Sequence, residues 1–530
     1  MRFINKLESS FWDQEMYVFI MFKKLTRALF LIAIILSSKT FAKESILISG
    51  ERKIKVYGIT SENLQKLEYI SIDKEKPQDI NRRLVKKLHQ QGYISSEGFV
   101  ISSDEIFLNQ GVITIVNVFG LTGKVESAVK NIAKKLVGKR PNVTKLDETL
   151  THINSLSGVD ATFALESSKN KIMDPRGWSP KDNTTHYTLI VKATEQSKYS
   201  GAVTLDSMPQ KILARNRATV TQTINSVLVG GDHVQGSFTH IWGDKKENQN
   251  EGAATYFLPL MTNGLYAEIH GSYTASKNEI RPNVKRDFKG TNVTGTLGYP
   301  ILRAHNETLT VLGGIGNQGE DQEGGTNGKT EAIYSTLFYN HSDPEGNSFT
   351  SGVTLTSGSA SSQGSANENG DFKHIRIGMG YIHALNFIAD DTELRVEAFG
   401  QWADKTVPSS QKFLLGGTEF LRGYPVGEFS GNNGRIGTAE IGHKFLFENS
   451  LLSGVNVKLF FDTGNVSSKQ VDATSNNRPK NMTISSIGIG SSGEFSNGFN
   501  LSGWLASALN KDNQGKELDP ALYLKLTKGW

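Results

Sequence analysis

The 530-residue sequence contains no cysteine, few prolines and an almost balanced charge. The lack of thiols excludes disulfides and suits an oxidising compartment, where stray disulfides are avoided. Proline accounts for 13 residues, about half of the usual ~5%, whereas glycine accounts for 53. This composition is typical of hydrogen-bonded strands and tight turns and does not suit a disordered chain. The net charge of +5, from 58 basic and 53 acidic residues, gives no reason to expect a nucleic-acid partner.

Long apolar runs are missing as well, with one short exception near the start. Ala28–Leu36 is apolar throughout, but a helix needs about 20 apolar residues to span a bilayer, so a helical membrane protein is excluded. Small residues follow the run at Thr40–Ala42, and three basic residues precede it: Lys23, Lys24 and Arg27. This pattern predicts a cleaved signal peptide over 21–42, with 1–20 as the artefact of an upstream start.

Residues 43–198 predict two small α+β modules, at 43–120 and 121–198. In the first, a strand-like RKIKVYGI precedes a helix that begins at Pro77, stops at Gly92 and carries one apolar stripe: Ile80, Leu84 and Leu88. In the second, two helices carry similar stripes before a closing strand: Val125, Val129, Ile132 and Leu136, then Leu146, Leu150 and Ile153. No spacing typical of metal ligands or of a catalytic nucleophile occurs in either module.

From residue 199 onward the helical pattern gives way to alternating apolar and polar residues. LYAEIHGSY and HIRIGMGY are examples, and polar loops rich in glycine, serine and asparagine separate such runs. Alternation alone is compatible with a soluble sandwich or a transmembrane barrel. The signal peptide, the long loops and the apolar face of the last strand favour an outer-membrane barrel: Leu522, Leu524, Leu526 and Trp530. The region 199–530 accommodates about sixteen antiparallel strands of roughly 10 residues.

One tripeptide suggests a different function. Asp462-Thr463-Gly464 is the motif of an aspartic protease, in which a carboxylate performs general acid/base catalysis. That chemistry needs two such carboxylates, from two lobes or from a dimer, and no second Asp-Thr/Ser-Gly occurs in the chain. A dimeric aspartic protease is therefore a disfavoured alternative, which also leaves the alternating strands and the signal peptide unexplained.

The segment KFLLGGTEFLRGYPVGEFSG, Lys412–Gly431, resembles the most distinctive part of the two-partner secretion transporters. These form the haemolysin secretion/activation family within the BamA-like outer-membrane superfamily. Their signature is Leu-Gly-Gly followed by Val/Leu-Arg-Gly-Tyr, which these residues match: Leu415, Gly416, Gly417, Leu421, Arg422, Gly423 and Tyr424. The next strand of the family usually carries a Glu, matched by Glu440. A later strand reads Phe-x-Asp-x-Gly, matched by Phe460, Asp462 and Gly464.

The resemblance extends over nearly all of the chain that follows the signal peptide. It implies that 43–120 and 121–198 are POTRA domains, which are soluble periplasmic modules. It further implies that 199–530 is the barrel and that a loop around 412–435 folds into the barrel lumen.

Within that lumen, the resemblance implies a pairing of Asp462 with Arg422. A two-pronged guanidinium is the natural partner of a carboxylate that would otherwise be isolated there. Family members often carry a plug helix before the first POTRA domain. Here only Lys43–Arg52 separates the signal peptide from the first predicted POTRA strand, and this segment is too short for such a helix.

The implied function is a secretion pore rather than an enzyme. It would recognise a partner exoprotein, of the haemolysin or adhesin class, and translocate it from the periplasm to the cell surface. No Gly-rich phosphate loop and no His/Cys cluster is present, so no nucleotide, metal or other cofactor is expected. The other expected partners are outer-membrane lipid and the barrel-assembly machinery, which would read the last strand as its signal.

Two alternatives to the secretion pore remain. One is a membrane-protein insertase of the same superfamily, although insertases usually carry more POTRA domains. The other is a passive porin for small solutes, which would not need the soluble modules.

Overall fold

The computed structural model describes most of the chain from Glu44 onward. The described ranges are 44–49, 52–57, 76–94, 97–167, 185–207, 216–243, 248–281, 284–322, 327–363, 369–448, 451–467, 481–512 and 515–530. The predicted signal peptide and the segment before it lie outside these residues, as does part of Lys43–Arg52. Within the described ranges, no helix is both long enough and apolar enough to cross a membrane.

The first module is a four-stranded sheet with one helix packed against it. Its elements are β1 (Glu44–Ser49), β2 (Arg52–Tyr57), α1 (Pro77–Gln90), β3 (Glu97–Ser102) and β4 (Glu105–Asn109), in the strand order β1-β2-β4-β3. Pro77 opens the helix, where its missing N–H breaks no hydrogen bond. The predicted apolar stripe of α1 is buried against Ile54, Val56, Ile106 and Leu108 of the sheet.

The second module is a three-stranded sheet covered by two helices. Its elements are β5 (Val112–Phe119), α2 (Gly123–Ala133), a 3₁₀ turn (Lys134–Leu136), α3 (Val143–Asn154), β6 (Val159–Ser167) and β7 (His186–Glu195), in the strand order β5-β7-β6. The apolar stripes of both helices share one core with Ile113, Leu189 and Val191. The structure differs here from the predicted boundary at residue 120, because β5 hydrogen-bonds to β7 of the second sheet. Long-range strand pairing of this kind leaves no trace in local periodicity.

Sixteen antiparallel strands form a closed barrel, which confirms the predicted fold. They are β8 (Tyr199–Ser207), β9 (Asn216–Asn225), β10 (His233–Trp242), β11 (Asn248–Pro259), β12 (Tyr266–Arg281), β13 (Val284–Ala304), β14 (Glu307–Gln322), β15 (Asn327–Ser342), β16 (Ser348–Gln363), β17 (Gly370–Ala384) and β18 (Thr392–Ala403), followed after a long connection by β21 (Asn433–Leu446), β22 (Leu452–Ser467), β23 (Asn481–Phe495), β24 (Phe499–Ala508) and β25 (Ala521–Gly529). The connection itself holds a separate two-stranded sheet, β19 (Phe413–Leu415) and β20 (Phe429–Gly431).

Successive side chains on the barrel strands face the exterior and the lumen in turn. On β22, Leu459 and Phe461 are 57% and 44% exposed, whereas Phe460 and Asp462 between and beside them are buried. The same alternation leaves large apolar side chains exposed around the wall: Ile269, Val293, Ile315, Ile333 and Leu355. An apolar exterior around a polar interior is the arrangement of a transmembrane barrel, in which lipid contacts the outer face.

The last strand closes the barrel against the first. β25 pairs with β8 from Lys525 opposite Asp206 to Gly529 opposite Ala202. One residue further on, Trp530 and Gly201 exchange backbone hydrogen bonds of 3.0 and 3.1 Å. Three side chains of β25 point to the exterior with Trp530: Leu522, Leu524 and Leu526. Closure pairs the backbone N–H and C=O groups on the free edges of β8 and β25, because lipid offers these groups no hydrogen-bond partner.

We expect removal of Leu522–Trp530 to abolish the folded barrel in the membrane fraction. The deletion would leave the edges of β8 and β24 unpaired in hydrocarbon, where each orphaned polar group costs several kcal/mol. The measurement is the amount of heat-modifiable protein in outer membranes, with Trp530→Phe as a control that retains the terminal aromatic ring. Wild-type amounts of heat-modifiable protein after the deletion would contradict this account of closure.

Candidate functional site in the barrel lumen

The connection between β18 and β21 folds back into the barrel, and we call residues 404–432 the lumen loop. Residues 433–435, at the end of the predicted loop, belong to β21. Within the loop, β19 and β20 pair so that Phe413 lies opposite Gly431. The apolar side chains of the loop are buried against inward-facing residues of the wall. This cluster contains Phe413, Leu415, Leu421, Tyr424 and Phe429 from the loop, with Ile436, Val466 and Ile484 from the wall.

Arg422 lies at the centre of the loop's contact with the wall. Its Nε and Nη2 donate to the two carboxylate oxygens of Asp462 at 3.0 and 2.7 Å. The backbone N–H of Arg422 donates to the same carboxylate at 2.9 Å. Nη2 also donates to the hydroxyl of Thr438 at 3.0 Å, and Nη1 donates to Glu440. The guanidinium lies over the ring of Phe460, 3.5 Å from its centroid, so that acceptors surround its edge and an aromatic ring covers its face.

The charges around Arg422 balance within a short chain of ion pairs. Lys458 donates to the second carboxylate oxygen of Glu440 at 2.8 Å, which gives two cations and two anions in contact. Asp462 is completely buried, and it also accepts from Thr438 and, at 3.4 Å, from Ser486. Buried charges are tolerated when they are paired and their remaining hydrogen-bonding positions are filled. Both conditions are met here.

One glycine lets the loop turn back on itself, and another lets it pack closely against the wall. Gly416 has φ +95°, and a Cβ there would lie 2.1 Å from the carbonyl oxygen of Pro425 across the loop. Gly464 lies on the wall, where a Cβ would come within 2.6 Å of Leu421 and 3.0 Å of Leu415. The Leu-Gly-Gly and Phe-x-Asp-x-Gly motifs therefore meet where the Leu415 side chain packs on Gly464.

Tyr424 hydrogen-bonds the other side of the loop to the wall. Its side chain is fully buried, and its hydroxyl lies 3.1 and 3.0 Å from the carbonyl oxygens of Ser485 and Asn510. The same hydroxyl accepts the N–H of Asn510 at 3.0 Å. The loop is thereby connected to β23 and to the residues that follow β24, as well as to β22.

Sequence reasoning missed several residues that hold the loop. Tyr523 of β25 donates to the carbonyl of Gly417 and accepts the N–H of Gly423, both at 3.3 Å, and its ring stacks on Trp504. Because Tyr523 lies between the outward-facing Leu522 and Leu524, the alternation of the strand predicts that it faces inward. The alternation does not predict which residues it contacts. At the base of the loop, Gln401 donates to the carbonyls of Gln411 and Asn432 at 2.9 and 3.0 Å.

A polar cavity of about 330 Å³ lies in the lumen beside Glu440. Its lining includes Glu393, Arg395, Lys458 and Trp504, so both signs of charge face the space. The predicted chain-end residues Leu522, Leu524, Leu526 and Trp530 lie apart from this group, on the exterior face.

The geometry around Asp462 does not suit an aspartic protease. Arg422, Thr438 and Ser486 engage its carboxylate, which has no exposed surface for a substrate or an attacking water. Glu440, which lies on the neighbouring strand, is bound to the same guanidinium and not to Asp462. In the part of the chain that the structure describes, no group of three or more His, Cys, Asp or Glu residues is arranged to hold a metal ion.

Curated proteins similar in sequence are described as heme/hemopexin transporter proteins. The chain is 22% identical over 391 residues to the heme/hemopexin transporter protein HuxB of Haemophilus influenzae strain 86-028NP, and 21% identical to that of strain ATCC 51907 / DSM 11121 / KW20 / Rd. Each match covers 67% of this chain and 64% of the relative, so the chain spans just under two thirds of the length of these relatives.

Solved structures share the fold at low sequence identity. CdiB from Escherichia coli superimposes with a TM-score of 0.73 at 16% identity, over 93% of this chain and 91% of that one. CdiB from Acinetobacter baumannii gives 0.67 at 16% identity, over the same shares. BamA from Haemophilus ducreyi lacking POTRA domains 1–3 gives 0.52 at 13% identity, over 91% of this chain and 99% of that one.

The family model described as haemolysin secretion/activation protein ShlB/FhaC/HecB matches residues 187–493, which is more than half of the chain. This range contains the barrel strands that carry Asp462 and Glu440 and the loop that carries Arg422. The chain therefore belongs to the ShlB/FhaC/HecB haemolysin secretion/activation family.

Proposed function

We propose that this protein is an outer-membrane pore that takes one partner exoprotein from the periplasm to the cell surface. The observation that carries the proposal is the lumen loop, held across a sixteen-stranded barrel by the buried Arg422–Asp462 pair. Because the loop occupies the lumen, its position determines whether a polypeptide can pass through the barrel. The partner is of the haemolysin or adhesin class, and its folding outside the cell supplies the energy. No enzymatic step and no cofactor is part of this proposal.

The two N-terminal modules act as periplasmic POTRA domains that capture the partner. β5 is an edge of the second sheet, with β7 on one side and no described strand on the other. Ile115 and Phe119 on this strand are 52% and 55% exposed. An extended segment that added to this edge would gain backbone hydrogen bonds and apolar contacts together. These features support cargo capture at β5.

The residues of the lumen loop and those at the chain end have separate roles. The lumen loop is positioned by its own motif, Leu415 to Tyr424, and by four partners on the wall: Phe460, Asp462, Gly464 and Glu440. The exterior residues Leu522, Leu524, Leu526 and Trp530 form the signal that the barrel-assembly machinery reads, and outer-membrane lipid surrounds the finished wall.

An insertase of outer-membrane proteins is the second candidate, because the fold of BamA superimposes on this chain. The TM-score with CdiB is higher, 0.73 against 0.52, and the residues before the barrel form two modules in the described ranges. The two functions differ in what depletion would do. Loss of a secretion pore removes one exoprotein from the medium, whereas loss of an insertase lowers many barrel proteins at once.

We expect deletion of residues 43–198 to leave a barrel that inserts but secretes nothing, because cargo capture resides in the modules. A finer variant is Ile115→Lys with Phe119→Lys, which charges the β5 edge and should strongly reduce secretion. Val143→Lys is the matched control, since Val143 is 54% exposed at the start of α3, outside the sheet. Export at the wild-type rate by the deleted protein would show that the modules do not capture cargo.

Arg422→Ala and Asp462→Ala should each loosen the lumen loop and impair secretion while the barrel still assembles. Both side chains are almost fully buried, so loss of one partner should cost the loop's attachment about 3–5 kcal/mol, rather than the ~1 kcal/mol of an exposed pair. Arg422→Lys should rescue poorly, because a point charge cannot replace the two-pronged contact. The measurement is a double-mutant cycle on secretion and on protease sensitivity of the loop.

The control for this cycle is Arg217→Ala, which breaks another lumen ion pair, with Asp206 at 2.9 Å. Arg217 makes no described contact with the lumen loop, so loop protection should persist in that variant. Strictly additive effects of the substitutions at Arg422 and Asp462 would mean that the two residues do not act together.

Tyr523→Phe should increase the protease sensitivity of the lumen loop without affecting the exterior of β25. The substitution removes the hydroxyl that binds Gly417 and Gly423, and an N–H left unsatisfied in a buried site costs roughly 1–3 kcal/mol. Tyr273→Phe, on the exterior of β12, is the matched control. An unchanged cleavage rate in Tyr523→Phe would exclude Tyr523 as an anchor of the loop.

A further inference from the structure

A groove of about 460 Å³ runs along the exterior of the barrel over β17, β18, β21 and β22. Its floor contains residues without large side chains, Ala398, Gly400 and Gly437. The indole of Trp402 folds over Gly400, where a Cβ would lie 2.5 Å from the ring, and Met379 lines the same apolar side. The volume is within the range of about 300–1,000 Å³ that small ligands occupy.

Arg435 lines this groove and is unusual in its surroundings. It is exposed, and it lies opposite Gly400 on one neighbouring strand and Asn465 on the other. Along the described parts of β18, β21, β22 and β23, it is the one Lys, Arg, Asp or Glu residue on the exterior face. No salt bridge to Arg435 is formed within the described ranges, so its guanidinium is available to an anion from outside the chain.

The position of Arg435 along β21 places it at a membrane interface. Ten residues separate it from Phe445, an exposed aromatic residue near the other end of the strand. At ~3.3 Å per residue and a tilt of ~40°, this separation corresponds to about 25 Å along the membrane normal, which is the height of the apolar band of such barrels. An exterior Arg is tolerated at this level, whereas at the midplane it would cost about 2–4 kcal/mol.

The strand direction determines which interface this is. β8 begins directly after the second module, so alternate strand ends, including Phe445, lie at the module end of the barrel, and Arg435 lies near the opposite end. With the modules in the periplasm, as the proposed function requires, Arg435 is level with the headgroups of the outer leaflet.

We propose that Arg435 and the groove beside it bind a phosphorylated, acylated lipid of the outer leaflet, of the lipid A class. The guanidinium takes the headgroup phosphate, for which its two-pronged donor geometry is suited. One acyl chain lies in the groove over Gly437 and Gly400, against Met379 and Trp402. This inference rests on the proposed orientation in the outer membrane, but not on the identity of the cargo.

The test is native mass spectrometry of the purified full-length protein, titrated with diphosphorylated lipid A. We expect one tightly retained lipid, and at least tenfold weaker binding by Arg435→Gln, which is about 1.4 kcal/mol. Lys289→Gln should bind like wild type. It removes a cation from the exterior of the same end of the barrel, where Lys289 stands opposite Asp321 on strands that do not line this groove.

A second variant tests the acyl half of the site while keeping the charge. Gly437→Leu fills the groove, and a Cβ at Gly437 meets its nearest neighbour at an ordinary 3.6 Å, so the barrel should stay folded. We expect this variant to weaken lipid A binding as well, with an unchanged heat-modifiable band. Equal binding by wild type and Arg435→Gln, undiminished binding of dephosphorylated lipid A or displacement by millimolar inorganic phosphate would overturn the proposal. Undiminished binding by Gly437→Leu would overturn the groove as the acyl site.

The orientation is tested separately from lipid binding. The chain contains no cysteine, so Lys405→Cys introduces a single thiol in an exposed turn at the same end of the barrel as Arg435. A membrane-impermeant maleimide should label this thiol on intact cells. Labelling only after the outer membrane is opened would contradict the orientation, and with it the outer-leaflet lipid, whatever the purified protein binds.

Discussion

The lumen loop depends on one buried cation. Arg422 brings a permanent positive charge into a space closed to water, and such a charge is tolerated only where acceptors surround it. The wall supplies them from adjacent strands, through Asp462, Glu440 and Thr438, with the ring of Phe460 beneath. These contacts hold the loop to β21 and β22, beside the apolar cluster that contains Tyr424.

The wall is shaped to receive that loop. Gly464 leaves the space that Leu421 and Leu415 fill, and Gly416 allows the loop to turn back on itself. Tyr523, on the strand that closes the barrel, holds two backbone groups of the same loop. The loop therefore contacts both β22 and the closing strand β25. Tyr523 lies on the strand that closes the barrel and holds the loop. A displacement of the loop would therefore disturb the contacts of the closing strand.

Much of this architecture could be predicted from the sequence, for reasons that differ between regions. The helices of the modules were readable because stripes such as Ile80, Leu84 and Leu88 repeat at helical spacing, and the strands because apolar and polar residues alternate. Alternation did not separate a barrel from a sandwich, and the barrel was indicated by the signal peptide, the long loops and the apolar face of the last strand. The proximity of Arg422 and Asp462 was implied by family motifs rather than by local pattern. What could not be predicted is non-local pairing: β5 in the second sheet, the partners of Tyr523, and the contacts of Gln401 at the loop base. Each depends on strand register, which brings together residues far apart in the chain.

We propose that the partner exoprotein passes through the lumen, past the loop that Arg422 holds. Two adjacent residues of β18 test it directly, because Arg395 lines the lumen cavity and Val396 faces the exterior. A photo-crosslinking amino acid is placed at either position in cells that are secreting the partner. The account predicts crosslinks to the exoprotein from position 395 and none from position 396. Crosslinks from position 396 alone, or from neither position during active secretion, would contradict a route through the barrel.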